Sequence, residues 1–413
     1  MHKEASISGA TFLEWWRMLP ALVLTGTVSG SLSALFLVTL DMVSAWHAQN
    51  SWLLLLLPLA GVAIVWFYQK YGDLAHQGNH LLVEEIHELQ DKVPFRMAPM
   101  VLITTLVTHL FGGSAGREGT AVQMGGAVAG GISRVFLRSP FQKRTLLIAG
   151  IAAGFGAVFG TPWAGAVFAV ELPVRGRWHV RYLLPALLAS GIGHCTCLWW
   201  GVHHTDYHAL GLTQEGFREM NLTLIGYAAL AAIAFGLCGR LFVRLAHAAP
   251  DWFARLSPRP LLRPVVGGTL VIVLVSVLGT ADYLGLGVVS PREGGISILS
   301  SFTRGGADPW SWWWKMIFTI VTLSSGFKGG EVTPLFFIGA ALGNTVAIMT
   351  GQPVEVFAGM GMLAVFAAAA NTPLACTILG MELFGTHYTA LFALACLIAF
   401  LVSGRAGIYR HQK

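Results

Sequence analysis

Charge is what this sequence has least of. Only 11% of its 413 residues are Asp, Glu, Lys or Arg, against about 25% in soluble domains, so water is not the solvent of most of the chain. Cysteine is sparse too. Cys195, Cys197, Cys238, Cys376 and Cys396 are odd in number and sit among apolar neighbours, which argues against a disulfide framework or a four-ligand zinc pattern. They read as small hydrophobes in helix packing. No nucleophile and base stand at a recognisable spacing, and the Gly-rich turn beside Arg117 lacks the Gly-Lys-Ser/Thr ending of a phosphate loop. An enzyme is therefore not expected, and nothing calls for a cofactor. No long polar segment flanks the apolar region, so a soluble regulatory domain is not expected either. The opening Met1–Leu19 carries Lys3, Glu4, Glu14 and Arg17 and does not read as a cleavable signal peptide.

Hydrophobicity fills the space that charge leaves. The chain is 55% hydrophobic with mean hydropathy +0.65, and it runs through long apolar stretches such as Ser51–Tyr68, Leu222–Leu237, Pro264–Gly279 and Val354–Ala370. A helix needs about 20 such residues to cross a bilayer, and roughly ten spans fit between the charged breaks. The 49 Gly suit close helix–helix approach in lipid. Trp310, Trp312, Trp313 and Trp314 followed by Lys315 read as an interfacial belt with a snorkelling cation. The net charge of +6 comes from basic clusters at Arg134–Arg144, Arg175–Arg181 and Arg240–Arg263, which the positive-inside bias explains better than nucleic-acid binding does. The fold class is an all-α polytopic membrane protein, a bundle rather than a barrel.

Two segments of the first half recur in the second. Glu118-Gly-Thr120, five residues, then Gly126-Ala-x-x-Gly130 matches Glu331-Val-Thr333, five residues, then Gly339-Ala-x-x-Gly343. Downstream, the run from Thr161 to Leu172 matches the run from Thr372 to Leu383. The order is kept, and each match centres on or ends at a carboxylate, so duplication is the better reading. One transmembrane domain, 1–413, then divides into a first repeat at about 12–205 and a second at about 222–413, joined near the polar Trp200–Asn221. Internal repeats with interrupted helices are a transporter trait, and the helix ends present N–H groups to an anion near the midplane. Gly112–Gly116 before Glu118 and Gly326–Gly330 before Glu331 are such interruptions.

Glu118 and Glu331 stand out, because a carboxyl within an apolar segment is expensive and usually functional. Burial favours a neutral carboxyl and a helix N-terminus favours an ionised one, so this residue type at this place suits proton exchange linked to anion binding. An ionised side chain fills an anion site, and a protonated one vacates it. A plain helix cap is the competing reading for each, weakened by their recurrence in both halves. Asn79 in Gly78-Asn79-His80 reads as an ordinary cap, and Thr120 and Thr333 offer hydroxyls to a carbonyl or an ion. His203, His204, Asp206 and His208, the face carrying His80, Glu84, His87 and Glu88, and Cys195-x-Cys197 beside His194 have unspecific spacing for a metal; no metal site is expected.

These residues resemble the CLC family of chloride channels and anion/proton antiporters. Gly116-Arg117-Glu118-Gly119-Thr120 is similar to the gating-glutamate motif, which normally ends in Pro. Phe159–Glu171 resembles the conserved Pro-Leu-Ala-Gly helix, Gly329–Pro334 holds the place of the Gly-Gly-x-Phe-x-Pro motif, and Ser403–Tyr409 ends where the family has its central tyrosine. The resemblance covers about Asn79 to Tyr409. Its departures resemble the fluoride-exporting CLC-F branch: Asn79 where chloride-type members have the anion-loop serine, Thr120 for Pro, Glu331 for an apolar residue, and Leu172 where chloride/proton antiporters carry an inward glutamate. The resemblance implies a CLC-type inverted repeat of tilted and broken helices and fluoride/proton antiport in a homodimer with one pathway per subunit. The setting it implies is a cell membrane, as in a bacterial inner membrane. It assigns gating and proton carriage to Glu118, the proton path to Glu331, and anion binding to Asn79, Val332, Thr333 and Tyr409. Fluoride is small and strongly hydrated, so amide, hydroxyl and helix-end donors suit it. A chloride/proton antiporter or chloride channel of the same fold is the alternative.

Overall fold

A computed structural model describes residues 9–175, 179–207, 222–409 and 412, with side chains from Met18 onward. Its described residues form fifteen α-helices. The first half contains α1 (Gly9–Gln49), α2 (Leu57–Tyr71), α3 (Asn79–His87), α4 (Met97–Leu110), α5 (Glu118–Phe136), α6 (Pro140–Phe159), α7 (Pro162–Glu171) and α8 (Leu183–Trp199). The second contains α9 (Leu222–Leu256), α10 (Arg263–Leu278), α11 (Ser311–Ser324), α12 (Val332–Thr350), α13 (Val354–Ala370), α14 (Pro373–Phe384) and α15 (Thr389–Ser403). Among the described residues, six spans are long and apolar enough to cross a membrane, fewer than the roughly ten that hydropathy suggests at about 20 residues each. The difference comes from interruption. Pieces such as α7, ten residues, reach about 15 Å at 1.5 Å per residue and cover only half of a hydrocarbon core.

Those interruptions are written in local chemistry. Gly160 ends α6 and Asn371 ends α13, both in the left-handed region at φ 75° and 59°, which Gly and Asn tolerate and other residues resist. Thr161-Pro162 and Thr372-Pro373 then restart the chain, with Pro in the first helical turn where its missing N–H costs nothing. Halves mirror each other in packing as well. The long α1 lies on α6 and α8, and the long α9 lies on α13 and α15. Backbone touches backbone where α5 crosses α6 and α12 crosses α13: a Cβ on Gly125 would stand 2.0 Å from the Gly150 carbonyl oxygen, and one on Gly339 2.1 Å from that of Gly361. Outward faces of the long helices expose Val38, Leu59, Leu230, Leu237 and Val277, as lipid contact requires.

The basic loops gather at one end. Arg96 pairs with Asp73 at 2.8 Å and Lys143 with Asp91 at 2.7 Å, while Arg134 donates to the Val93 carbonyl and Arg144 to that of Ile86. From this basic end α4 rises to the turn before Glu118, and α5 returns. At the opposite end Tyr283 meets Ser311 at the start of α11; α11 descends to the turn before Glu331, and α12 returns. The two broken hairpins therefore enter from opposite ends, the inverted arrangement expected. His204 Nε2 donates at 2.8 Å to the Ala157 carbonyl near the end of α6, so that histidine is engaged in structure. His208 lies outside the described residues, among which no three His, Cys, Asp or Glu converge.

Candidate anion and proton site

The Gly-rich turns meet in the middle of the molecule. Gly116 and Gly330 exchange both backbone hydrogen bonds, at 2.6 and 2.7 Å, as an antiparallel bridge. No side chain fits there, since a Cβ on Gly330 would stand 2.7 Å from the Gly119 nitrogen. Threonines on the preceding helices fix each turn from across the repeat. The Ser114 N–H donates to Thr322 Oγ1 at 3.2 Å, and the Lys328 N–H to Thr108 Oγ1 at 3.3 Å. Ser114 and Lys328, like Gly116 and Gly330, are thus structural counterparts. This register lies one residue beyond the sequence match, and it corrects the equivalence drawn above. The counterpart of Glu331 is Arg117, each preceding its helix, and that of Glu118 is Val332, each opening its helix. Identities in short Gly/Ala-rich stretches can favour a register one residue away from the structural one, and the bridge decides it.

Glu118 is 1% exposed and turned across the bridge onto the N-terminus of α12. Its carboxylate accepts the Thr333 hydroxyl at 2.7 and 2.5 Å on its two oxygens and the Thr333 N–H at 3.1 Å. The Arg117 N–H adds 3.2 Å, and the Arg117 guanidinium lies 3.5 Å away. Amide, hydroxyl and guanidinium donors thus converge on one pair of oxygens. Buried Val332 opens the same helix.

Glu331 is half-buried and makes no capping hydrogen bond to α12. Its carboxylate and the Asn79 amide both face Gly119: a Cβ there would stand 3.2 Å from Asn79 Nδ2 and 3.7 Å from Glu331 Oε2. Asn79 follows Gly78 at φ 60°, opens α3 and leaves Oδ1 buried without a partner, so the capping bond expected of it is not made. Tyr409 is 2% exposed, packs edge-on against Phe168 at 6.2 Å, and leaves its hydroxyl unpartnered within electrostatic range of both Glu118 and Glu331. The structure therefore brings Glu118, Glu331, Asn79, Val332, Thr333 and Tyr409 around one centre. Thr120 is used otherwise, bonded to Thr105 at 2.9 Å.

The other pair of repeated carboxylates has a different task. Glu171 accepts the N–H groups of Leu374 and Ala375 at 3.2 and 2.9 Å, and Glu382 those of Trp163 and Ala164 at 3.1 and 2.7 Å. Each of the antiparallel helices α7 and α14 thus neutralises the exposed N-terminus of the other. These carboxylates close two helix ends that would otherwise attract anions.

With this geometry in view, a family model described as voltage gated chloride channel matches residues 60–404. The chain belongs to this family. A chloride/fluoride channel protein of Pseudomonas syringae pv. tomato is 44% identical over 97% of this chain and 87% of its own length. A chloride/proton exchange transporter, ClcA, of Vibrio vulnificus is 26% identical over 94% and 87%. Among solved structures, a CLC-type fluoride/proton antiporter superposes with TM-score 0.89 at 34% identity, covering 96% of this chain and 98% of that one. A slow cyanobacterial chloride/proton antiporter at 21% identity and TM-score 0.76 shares the fold. The CLC-F branch read from Asn79, Thr120, Glu331 and Leu172 thus agrees with the similarity to the chloride/fluoride channel protein and to the fluoride/proton antiporter. Besides the register, two features of this CLC chain escaped the sequence reading: the mutual caps of Glu171 and Glu382, and the buried Lys315. Lys315 points not to a lipid interface but inward, 0% exposed, donating to the Tyr283 and Gly285 carbonyls at 3.1 and 2.8 Å.

Proposed function

We propose that this protein exchanges fluoride for protons across a cell membrane, working as a homodimer with one pathway in each subunit. The observation that carries the reading is the seat of the Glu118 carboxylate on the Thr333 hydroxyl and N–H. A carboxylate held by hydroxyl and amide donors occupies an anion site. A hard anion such as fluoride replaces it there without rearranging the donors, because short hydrogen bonds from O–H and N–H suit both. Glu118 gains a proton as it leaves the seat and returns it on re-entering, which links the two movements. Glu331 and the Tyr409 hydroxyl extend the path toward Asn79. Leu172 offers no inward carboxyl, so Glu331 takes the proton on that side. By the positive-inside bias the basic end faces the cytoplasm, and in a bacterium the setting is the inner membrane.

The direct experiment is flux from liposomes read by fluoride and chloride electrodes with a pH-sensitive dye. Fluoride movement with stoichiometrically linked proton movement and much slower chloride supports antiport. Equal fluoride and chloride rates return the alternative of a chloride/proton antiporter, and anion flux without protons that of a channel.

A further inference from the structure

The structural register leaves one asymmetry between the two bridged turns. In the first, the residue two before the bridging Gly116 is Ser114, fully buried and hydrogen-bonded to Thr319 at 3.0 Å. Its counterpart before Gly330 is Lys328, a long cation in the same backbone position. Lys328 is half-buried and lines a cavity of about 430 Å³ near the basic end. Arg263, His76, Tyr68 and Ser325 share the lining.

The electrostatics of this cavity favour an anion. Arg263 and Lys328 are its cations. Asp73 is its carboxylate, and Arg96 already holds that group at 2.8 Å. One ammonium donor of Lys328 reaches the His76 carbonyl at a long 3.3 Å, and the ammonium stands 4.4 Å over the Tyr68 ring. An ammonium has three donors, so donors remain for a ligand. Position matters as much as charge. Lys328 is three residues before Glu331 and within its electrostatic range, and His76 is three residues before Asn79 on the other wall. One side chain therefore touches the cavity and stands beside the proposed path.

We propose that Lys328, supported by Arg263, forms a capture subsite for a small hard anion on the basic side, one step before the seat held by Thr333. The cavity has room for on the order of a dozen waters at about 30 Å³ each, so the anion arrives there still largely hydrated. An ammonium suits that stage, because it is a point charge that attracts without demanding a fixed geometry. Dehydration follows at the amide and hydroxyl donors beyond it. This inference rests on the anion-transport reading and adds to it the residue that gathers the substrate.

Its test is fluoride efflux from liposomes at graded internal fluoride, comparing wild type with Lys328→Met, Lys328→Arg and Arg263→Gln. Charge removal at Lys328 is expected to raise the half-saturating fluoride concentration about tenfold, the scale of one desolvated charge contact, with a smaller change in maximal rate. Lys328→Arg should restore most of the affinity, and Arg263→Gln should shift it in the same direction by less. High inert salt should narrow the gap between wild type and Lys328→Met. Wild-type flux with an unchanged half-saturating concentration in Lys328→Met overturns this inference alone. So does a lower maximal rate at unchanged affinity, which would make Lys328 a partner of Glu331 rather than of the anion. If Lys328→Met fails to elute as folded protein, Arg263→Gln and the salt dependence of the wild type decide, and no shift in either overturns the proposal. A wild type that moves no anion sinks the transport reading and this inference with it.

Discussion

Replacing Glu331 by Gln removes an ionisable proton while keeping the shape and the hydrogen-bonding atoms of the side chain. The structure sets the magnitude expected if Glu331 were a helix cap and nothing more. It makes no capping hydrogen bond, so its contribution to α12 is the interaction of a charge with a helix N-terminus, about 0.3–1 kcal/mol. Lys328 loses a neighbouring charge in the variant, but its side chain lines an open cavity and its ammonium keeps the His76 carbonyl as an acceptor. Thermal stability should therefore fall by no more than about 1 kcal/mol, and the gel-filtration profile should match wild type. Transport responds on another scale if this carboxyl carries the proton where Leu172 cannot. Fluoride-driven proton movement in liposomes should drop by at least about a hundredfold, the effect of removing an obligatory proton carrier. Wild-type coupled turnover in Glu331→Gln would refute the reasoning and leave Glu118 as sole carrier.

Three further outcomes follow from the geometry. Glu171→Gln and Glu382→Gln each weaken two charge-assisted bonds to a helix N-terminus, so each should cost about 1.5–3 kcal/mol of stability while the fluoride-to-proton ratio stays at the wild-type value; a changed ratio would place them in the proton path. Gly330→Ala puts a Cβ 2.7 Å from the Gly119 nitrogen and should abolish a monodisperse gel-filtration peak or all flux; a folded, fully active variant would show that the bridge is not tight. Thr333→Val keeps the shape but removes the hydroxyl that Glu118 accepts, so fluoride flux should fall about tenfold or more, for one buried hydrogen bond to a charged group; flux equal to wild type would remove Thr333 from the site.

Much of this arrangement is legible in the sequence because it rests on local chemistry. The Gly runs before Glu118 and Glu331 announce interrupted helices, and a carboxyl at 118 within an apolar segment announces a candidate site. What escapes is long-range. The caps joining Glu171 to Leu374 and Glu382 to Trp163 link residues more than 200 apart, and a Glu near a helix end looks the same whether it caps its own helix or another. Register escapes for a related reason: Gly and Ala repeats carry too little information to separate neighbouring alignments until the Gly116–Gly330 bridge fixes one. The Trp neighbours of Lys315 suggest an interface, yet its ammonium turns to the Tyr283 and Gly285 carbonyls, where backbone acceptors satisfy a cation that composition alone assigns to water.

The central claim is that one carboxyl, seated where the anion binds, couples fluoride to protons. Wild-type protein and Glu118→Gln, reconstituted in liposomes with an outward fluoride gradient and no initial pH difference, test it most directly. Wild type should drive protons inward against the pH difference that builds up, at a fixed ratio to fluoride efflux. In Glu118→Gln that proton uptake should vanish, whether or not fluoride still leaks. Uphill proton movement that survives in Glu118→Gln would contradict the account.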